Sequence, residues 1–341
     1  MSRFLNRFQR LRRQLGFGLA LGIMLAQAPA LAVETPSRIP LRISTPAVAD
    51  DWHARMWTVF RDSLERNAAG EFDVQIHLNA TLFKQGAEIT AMSRGNLELA
   101  TVSAFDIAKQ VPEFSIFTAG YVIRDPAHQR KVLGGPIGES FYRTISERMG
   151  LRILSPIYLG TRHLGLRTTR PVRTPADLKG VKLRMPATRE WLFLGSALGA
   201  SAMPLALGEV YLGLKTGTID GEDNPLPTVR AAKFNEVLQQ IVLTGHLVDA
   251  LFIALPERLW LKLRPAQQIQ LREAAAAAAA FNDDNRLREE SQLQEQFRKQ
   301  GLTITTPDVE AFRTRVRETY AGSETARTWP KGMLERIQDT R

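Results

Sequence analysis

The chain has 341 residues, no cysteine, 44% hydrophobic residues and a formal net charge of +10 at pH 7. Without cysteine it has neither disulfides nor thiolate metal ligands, and His53, His77, His128, His163 and His246 stand singly rather than at the spacing of a helical zinc site. No Walker loop and no G-x-S-x-G elbow occurs, so no catalytic residue, no metal and no cofactor is expected.

The first 32 residues carry Arg3, Arg7, Arg10, Arg12 and Arg13 and no acid. A mainly apolar run from Leu15 to about Ala26 follows, then Pro29-Ala30-Leu31-Ala32. A basic start, a short apolar stretch and a small-x-small site make a secretory signal peptide cleaved after Ala32. The apolar run is about 12 residues, short of the roughly 20 that cross a bilayer. Export to the periplasm is therefore expected. Removing the five signal arginines takes the charge from +10 to +5. Spread over the remaining chain without a basic block, that charge mildly favours anions and carries no nucleic-acid motif.

Ile39–Ser44 alternates like a strand, and Asp50 is placed to cap a helix with Trp52, Met56, Phe60 and Leu64 on one stripe, ending at Gly70. Phe72–Leu78 alternates again, a helix is predicted around Glu88–Arg94, and Leu97–Val102 is a strand. Strands and helices keep alternating through Ile153–Leu159, the pattern of an α/β fold with mostly parallel sheet.

Thr174-Pro175-Ala176-Asp177 is a capping box with proline at the first helical position, and Gly180 ends the turn. Val181–Met185 follows as a strand. Its period of two puts Val181, Leu183 and Met185 on one face and Lys182 and Arg184 on the other. Arg184 thus sits near the carboxyl end of a strand, where open α/β sheets bind ligands.

Leu207, Val210, Tyr211 and Leu214 fall at helical spacing, with Gly217 just beyond. Thr218–Pro225 reads as a strand edge running into a polar turn. Pro265–Gln300 has no breaker and holds seven consecutive alanines, Ala274–Ala280. Such a helix would be about 54 Å long, so it must kink or cross more than one lobe. Leu302–Thr305 and a helix over Pro307–Tyr320 close the chain.

Five ordered pieces now stand out: Gly160-Thr-Arg162; Pro175-Ala-Asp-Leu-Lys-Gly-Val-Lys-Leu-Arg-Met-Pro186; Gly199-Ala-Ser-Ala-Met-Pro204; Gly208-Glu-Val-Tyr211; and Lys215-Thr-Gly-Thr-Ile-Asp-Gly-Glu-Asp-Asn-Pro225. Together with Val111-Pro-Glu-Phe114 and Trp329-Pro-Lys-Gly332, this block resembles the DctP-type substrate-binding proteins of tripartite ATP-independent periplasmic (TRAP) transporters. The resemblance covers essentially the whole mature chain. It implies a two-lobed α/β periplasmic-binding-protein-like fold with a long helix spanning both lobes. By analogy, residues 36–159 and 250–289 form lobe I, and residues 160–249 and 290–341 form lobe II.

The resemblance also implies a function: capture of a small organic carboxylate by a monomer, without catalysis, and delivery to two integral membrane subunits driven by an ion gradient. Arg184, in the Lys-x-Arg-x-Pro strand, would pair bidentately with the carboxylate, and Arg162 and Asn224 would add polar contacts. A planar fork of donors suits a carboxylate better than a lysine does. Trp191 and Phe193 wall the pocket or fill core, while Glu209 and Tyr211 pack and orient. From the first lobe, the segment around His53, the loop Lys84–Glu88 with Glu88, and Ser103 fall where substrate contacts vary between members. The turn departs from the commoner Gly-Gln-Glu-Asn, and Leu207 replaces a frequent aromatic wall. The second reading is a periplasmic partner that presents ligand to a signalling receptor. A secreted hydrolase is disfavoured by the missing motifs.

Overall fold

The computed structural model describes residues 38–341; the signal-peptide reading and its cleavage point lie outside them. The described chain begins with β1 (Ile39–Ser44), α1 (Trp52–Asn67), β2 (Phe72–His77), α2 (Glu88–Arg94), β3 (Leu99–Ser103) and α3 (Ala104–Ala108). Helices α4 (Pro126–Gly134) and α5 (Pro136–Met149) lead into a long strand, β4 (Leu151–Leu166). Next come β5 (Lys182–Met185), α6 (Arg189–Ala197), β6 (Ser201–Pro204), α7 (Val210–Thr216), β7 (Gly221–Pro225) and α8 (Leu226–Ala231). A second long strand, β8 (Gln240–Pro256), returns the chain to α9 (Glu257–Trp260) and the 35-residue helix α10 (Pro265–Lys299). The chain closes with β9 (Thr303–Thr305), α11 (Val309–Ala321), α12 (Glu324–Arg327) and α13 (Met333–Asp339).

The strands run in the order β2-β1-β3-β8-β4-β7-β5-β6, with β9 added to β8. β4 and β8 pair antiparallel from Leu151 opposite Pro256 to Leu166 opposite Gln240. β3 joins β8 at Leu251–Ala254, and β7 joins β4 at Arg162–Leu166. The shorter strands therefore gather at opposite ends of the long pair, and two lobes result. β1–β3 build one, β5–β7 the other, and β4 and β8 cross between them. The register of the pair shifts at Ile153/Ser155, Tyr158/Gly160 and Arg162/Leu164. Such bulges bend and twist a strand. Gly160, in the middle, has φ +136°, and a Cβ there would run into Pro225 and Glu290. Only glycine fits.

α10 is unbroken and serves both lobes. Its alanines Ala274, Ala275, Ala278 and Ala279 are buried with Met56, Trp57, Phe60 and Leu64 of α1. Small side chains let the two helices approach closely while the large residues of α1 fill the contact. Within two turns of its far end, Leu293 and Phe297 are buried with Val210, Leu214 and Ile241. At 1.5 Å per residue the helix is about 52 Å long, enough to span both lobes.

Three local expectations need correction. The cap of α1 is Asp51, whose side chain accepts the His53 N–H at 3.0 Å; Asp50 instead forms an exposed pair with Arg55. The helix also ends earlier, at Asn67. Most consequentially, residues 221–225 are not an edge leading to a turn: β7 lies between β4 and β5, and all five of its residues are buried. Glu222 and Asp223 are poor strand formers, but partners on neighbouring strands hold Asp223, and tertiary context overrides propensity. The closing segment packs back on residues 115–128: Trp329 Nε1 donates to Ser115 Oγ at 3.0 Å, and Arg124 donates to the Thr340 carbonyl at 2.6 Å.

Candidate functional site

A cavity of about 120 Å³ lies between the lobes. That is roughly ten times the room one water needs, so the space suits a small organic molecule. Arg162, Arg184, Thr188, Trp191 and Asn224 face it from the β5–β7 side, and His53, Gln85, Glu88, Thr101, Ser103 and Asp106 from the β1–β3 side. All six residues singled out above (Arg184, Arg162, Asn224, Trp191, Glu88 and Ser103) therefore border one cavity. Phe193 does not; it packs edge-on against Tyr320.

Arg184 is 1% exposed. The pairing of β5 with β6 and β7 fixes its backbone. Its Nε donates to the Leu205 carbonyl at 2.8 Å, and Nη2 lies 3.4 Å from Gln85 Oε1 of the opposite lobe. Gln85 Oε1 also accepts the Leu207 N–H at 3.0 Å, so one amide from the Lys84–Glu88 loop reaches across the cleft twice. Burial pushes the Arg184 pKa down to about 10, against the pull of Asp223 and Glu222. It remains a cation at neutral pH, and among the described residues it forms no ion pair.

Arg162 is engaged differently. Nε donates to Asp249 Oδ2 at 2.7 Å, and Nη1 donates to the Asp223 carbonyl at 2.7 Å and lies 3.3 Å from its carboxylate. Burial works against its charge, but Asp223 and Asp249 outweigh burial and raise its pKa. Its guanidinium stands 4.2 Å above the Trp191 ring, a cation–π contact. Nη1 also reaches Asn224 Oδ1 at 3.4 Å, while Asn224 Nδ2 donates to Glu222. Both ends of that amide are thus oriented by β4 and β7. Asp223 also meets His246 Nε2 at 3.1 Å.

On the other wall, the hydroxyl of Ser103 donates to Asp106 Oδ2 at 2.7 Å and accepts the Asp106 N–H, capping α3. Asp106 is further paired with Lys109 at 2.8 Å. His53 Nε2 is 2.6 Å from Thr101 Oγ1, and burial pushes its pKa down to about 4, leaving a neutral ring. Glu88 opens α2, and its carboxylate folds back to accept the Gly86 N–H at 2.7 Å. Burial first, then the nearby charge of Asp106, pushes its pKa up to about 7. Among the described residues no group of three or more His, Asp or Glu side chains is placed to hold a metal ion.

Sequence reasoning passed over the support beneath this wall. Asp51, which caps α1, is paired with Arg286 of α10, a fully buried arginine. Arg286 Nη2 donates to Thr228 Oγ1 of α8 at 2.8 Å, and its Nε donates to the Leu159 carbonyl of β4. One guanidinium thus ties together α1, the crossing strand and the β5–β7 side.

The family described as bacterial extracellular solute-binding protein, family 7 (DctP), matches residues 44–326. A TRAP periplasmic solute-binding protein from Roseobacter denitrificans, solved with bound 3-deoxy-D-manno-oct-2-ulosonic acid, is 44% identical with a TM-score of 0.85, covering 89% of this chain and 100% of that one. Another from the same organism, with bound L-galactonate, is 27% identical at TM-score 0.81, covering 89% and 99%. The sialic acid-binding periplasmic protein of Vibrio cholerae is 28% identical over 76% of this chain and 80% of that protein. The chain belongs to family 7 of the bacterial extracellular solute-binding proteins, the DctP family, and is a periplasmic solute-binding protein of the TRAP type.

Proposed function

We propose that this protein captures a small organic carboxylate, an organic or sugar acid, between its lobes and delivers it as a monomer to the two integral membrane subunits of a TRAP transporter. The carrying observation is Arg184: a buried guanidinium that borders the cavity and, among the described residues, forms no ion pair. A buried unpaired charge is costly, and a bidentate carboxylate would satisfy it. Three relatives or neighbours are described with sugar acids, which supports the same class here. Arg162 and Asn224 contribute polar contacts, Trp191 a flat wall, and Glu88 and Ser103 the opposite side.

The chain is cleaved after Ala32. Its lobes comprise 36–159 with 250–289 and 160–249 with 290–341, and the closing segment reaches back across the cleft. The boundaries 159/160 and 249/250 fall where Gly160 opposes Asp249 on the long strand pair, beside the register shifts that would let the lobes hinge. The test is a thermal-shift screen of carboxylates on the mature protein. A ligand at 1,000-fold excess over Kd stabilises by about 4 kcal/mol. A screen in which amines or neutral sugars shift melting and no carboxylate does would overturn the proposal.

A further inference from the structure

Eight ionisable side chains border the cavity: Asp51, His53, Glu88, Asp106, Lys109, Arg162, Arg184 and Asp249. Most are already matched. Asp51 is paired with Arg286, Asp106 with Lys109, and Asp249 with Arg162. His53 is neutral and bonded to Thr101. Two remain: the cation Arg184 and the acid Glu88. They come from opposite lobes, and Glu88 is 5% exposed and, among the described residues, accepts hydrogen bonds only from backbone N–H groups, those of Gly86 and of Glu88 itself. A carboxylate is acceptor-only, and this one has capacity left for donors supplied by a ligand.

From these two residues we infer that the ligand is a monocarboxylate whose far end carries hydroxyl groups, and that Glu88 selects it by accepting hydrogen bonds from those hydroxyls and repelling a second carboxylate. The inference rests on the carboxylate reading of Arg184 and adds the chemistry of the other end. Two observations favour hydroxyls. Thr101, Ser103, Gln85 and neutral His53, which face the cavity from the same lobe as Glu88, are uncharged polar groups. The cation that borders the cavity on this lobe, Lys109, is held on Asp106, whose negative charge together with that of ionised Glu88 makes this end hostile to an anion.

A matched pair of probes tests this. L-Galactonate and galactarate differ only in a terminal hydroxymethyl group replaced by carboxylate. Calorimetry on the mature protein at pH 8, where Glu88 is ionised, would compare them, with 3-deoxy-D-manno-oct-2-ulosonic acid, D-glucuronate, succinate and 6-aminohexanoate alongside. We expect one or more hydroxylated monocarboxylates to bind, and every dicarboxylate to bind at least about 30-fold more weakly than the best of them, the scale on which like-charge juxtaposition discriminates. Glu88→Gln keeps an acceptor but removes the charge, and should shrink that ratio about tenfold or more while changing monocarboxylate affinity less. A wild-type protein that binds galactarate or succinate as tightly as the best monocarboxylate overturns the inference and leaves the Arg184 reading intact. So does tighter binding of 6-aminohexanoate, or an unchanged ratio in Glu88→Gln. If no carboxylate of either kind binds, the proposed function itself falls. The wild-type ratio decides the matter even if the variant does not fold.

Discussion

The indole of Trp191 lies flat on the ring of Phe105, with centroids 3.5 Å apart and planes 7° from parallel. Phe105 belongs to α3, which follows β3, and Trp191 to α6, which follows β5, so the stack joins the two walls of the cavity. Arg162 covers the indole as well. Opening the cleft would separate the two rings. Ligand addition should therefore change Trp191 emission, and the change should vanish in Trp191→Phe despite the other four tryptophans. Trp191→Ala should weaken binding by about tenfold, since an aromatic pair contributes about 0.5–1.5 kcal/mol beyond its area and the wall is lost too. Stopped-flow fluorescence with a bound carboxylate checks both; an unchanged wild-type spectrum on saturation would count against lobe closure.

Arg184 carries the sharpest affinity prediction. Truncation to alanine leaves a bound carboxylate buried and unpaired, so affinity should fall by about 2–5 kcal/mol, roughly 30- to 4,000-fold in Kd. Arg184→Lys should recover only part, because a point charge cannot supply two parallel donors. Exposed Arg173→Ala is the control and should bind normally. Because Arg184 is buried and without an ion pair, Arg184→Met should leave melting of the empty protein unchanged or raised. Near-wild-type affinity in a folded Arg184→Ala would move the anchor elsewhere, with Arg162 the next candidate.

How far the residues announced this arrangement depends on whether the cause was local. β5 and Arg184 were legible because a capping box, a period of two and a terminating proline lie within a dozen residues. α10 was legible from 36 residues without a breaker. β7 was not, because Gly-Glu-Asp-Asn-Pro has turn composition and becomes a strand only through Arg162 and His246 on β4 and β8. Asp51 and Arg286 stand 235 positions apart, and neither has a local signature. Asp50 and Asp51 are equally good caps on paper; the buried guanidinium selects the second. Of the cavity, the arginine side came with its sequence block, whereas the role of Gln85 emerges only once the opposite lobe faces it.

The Asp51–Arg286 pair predicts acid sensitivity. Burial alone would raise the Asp51 pKa, but the charge of Arg286, helped by His53 and hydrogen bonds, leaves it below its ordinary 3.8. A carboxyl lowered in the folded state adds stability that is fully present above the ordinary value and is lost as pH falls through the lowered one. Urea unfolding from pH 5 to pH 2 should show this loss setting in below about pH 3.8, and Asp51→Asn should flatten that part of the profile. Arg286→Ala, which strands a buried carboxylate, should cost about 3–5 kcal/mol at neutral pH. A variant within 1 kcal/mol of wild type would mean that water or another group replaces the guanidinium.

Glu88 should show the opposite sign. Its pKa rises from 4.5 unfolded to about 7 folded, with burial as the main cause. Between those values the folded state binds more protons than the unfolded one, so stability falls as pH rises. The cost is absent below about pH 4.5 and complete above about pH 7. At 1.36 kcal/mol per pKa unit it reaches about 3 kcal/mol. Glu88→Gln removes the charge, keeps the shape and should melt above the wild type at pH 8, with the gap closing by pH 4.5. The same change should loosen discrimination against dicarboxylates, so the empty protein gains stability where the carrier loses selectivity. Differential scanning calorimetry of the two ligand-free proteins across pH 4.5–8 checks it, and parallel melting curves at every pH would show that Glu88 is solvated rather than buried in the empty protein.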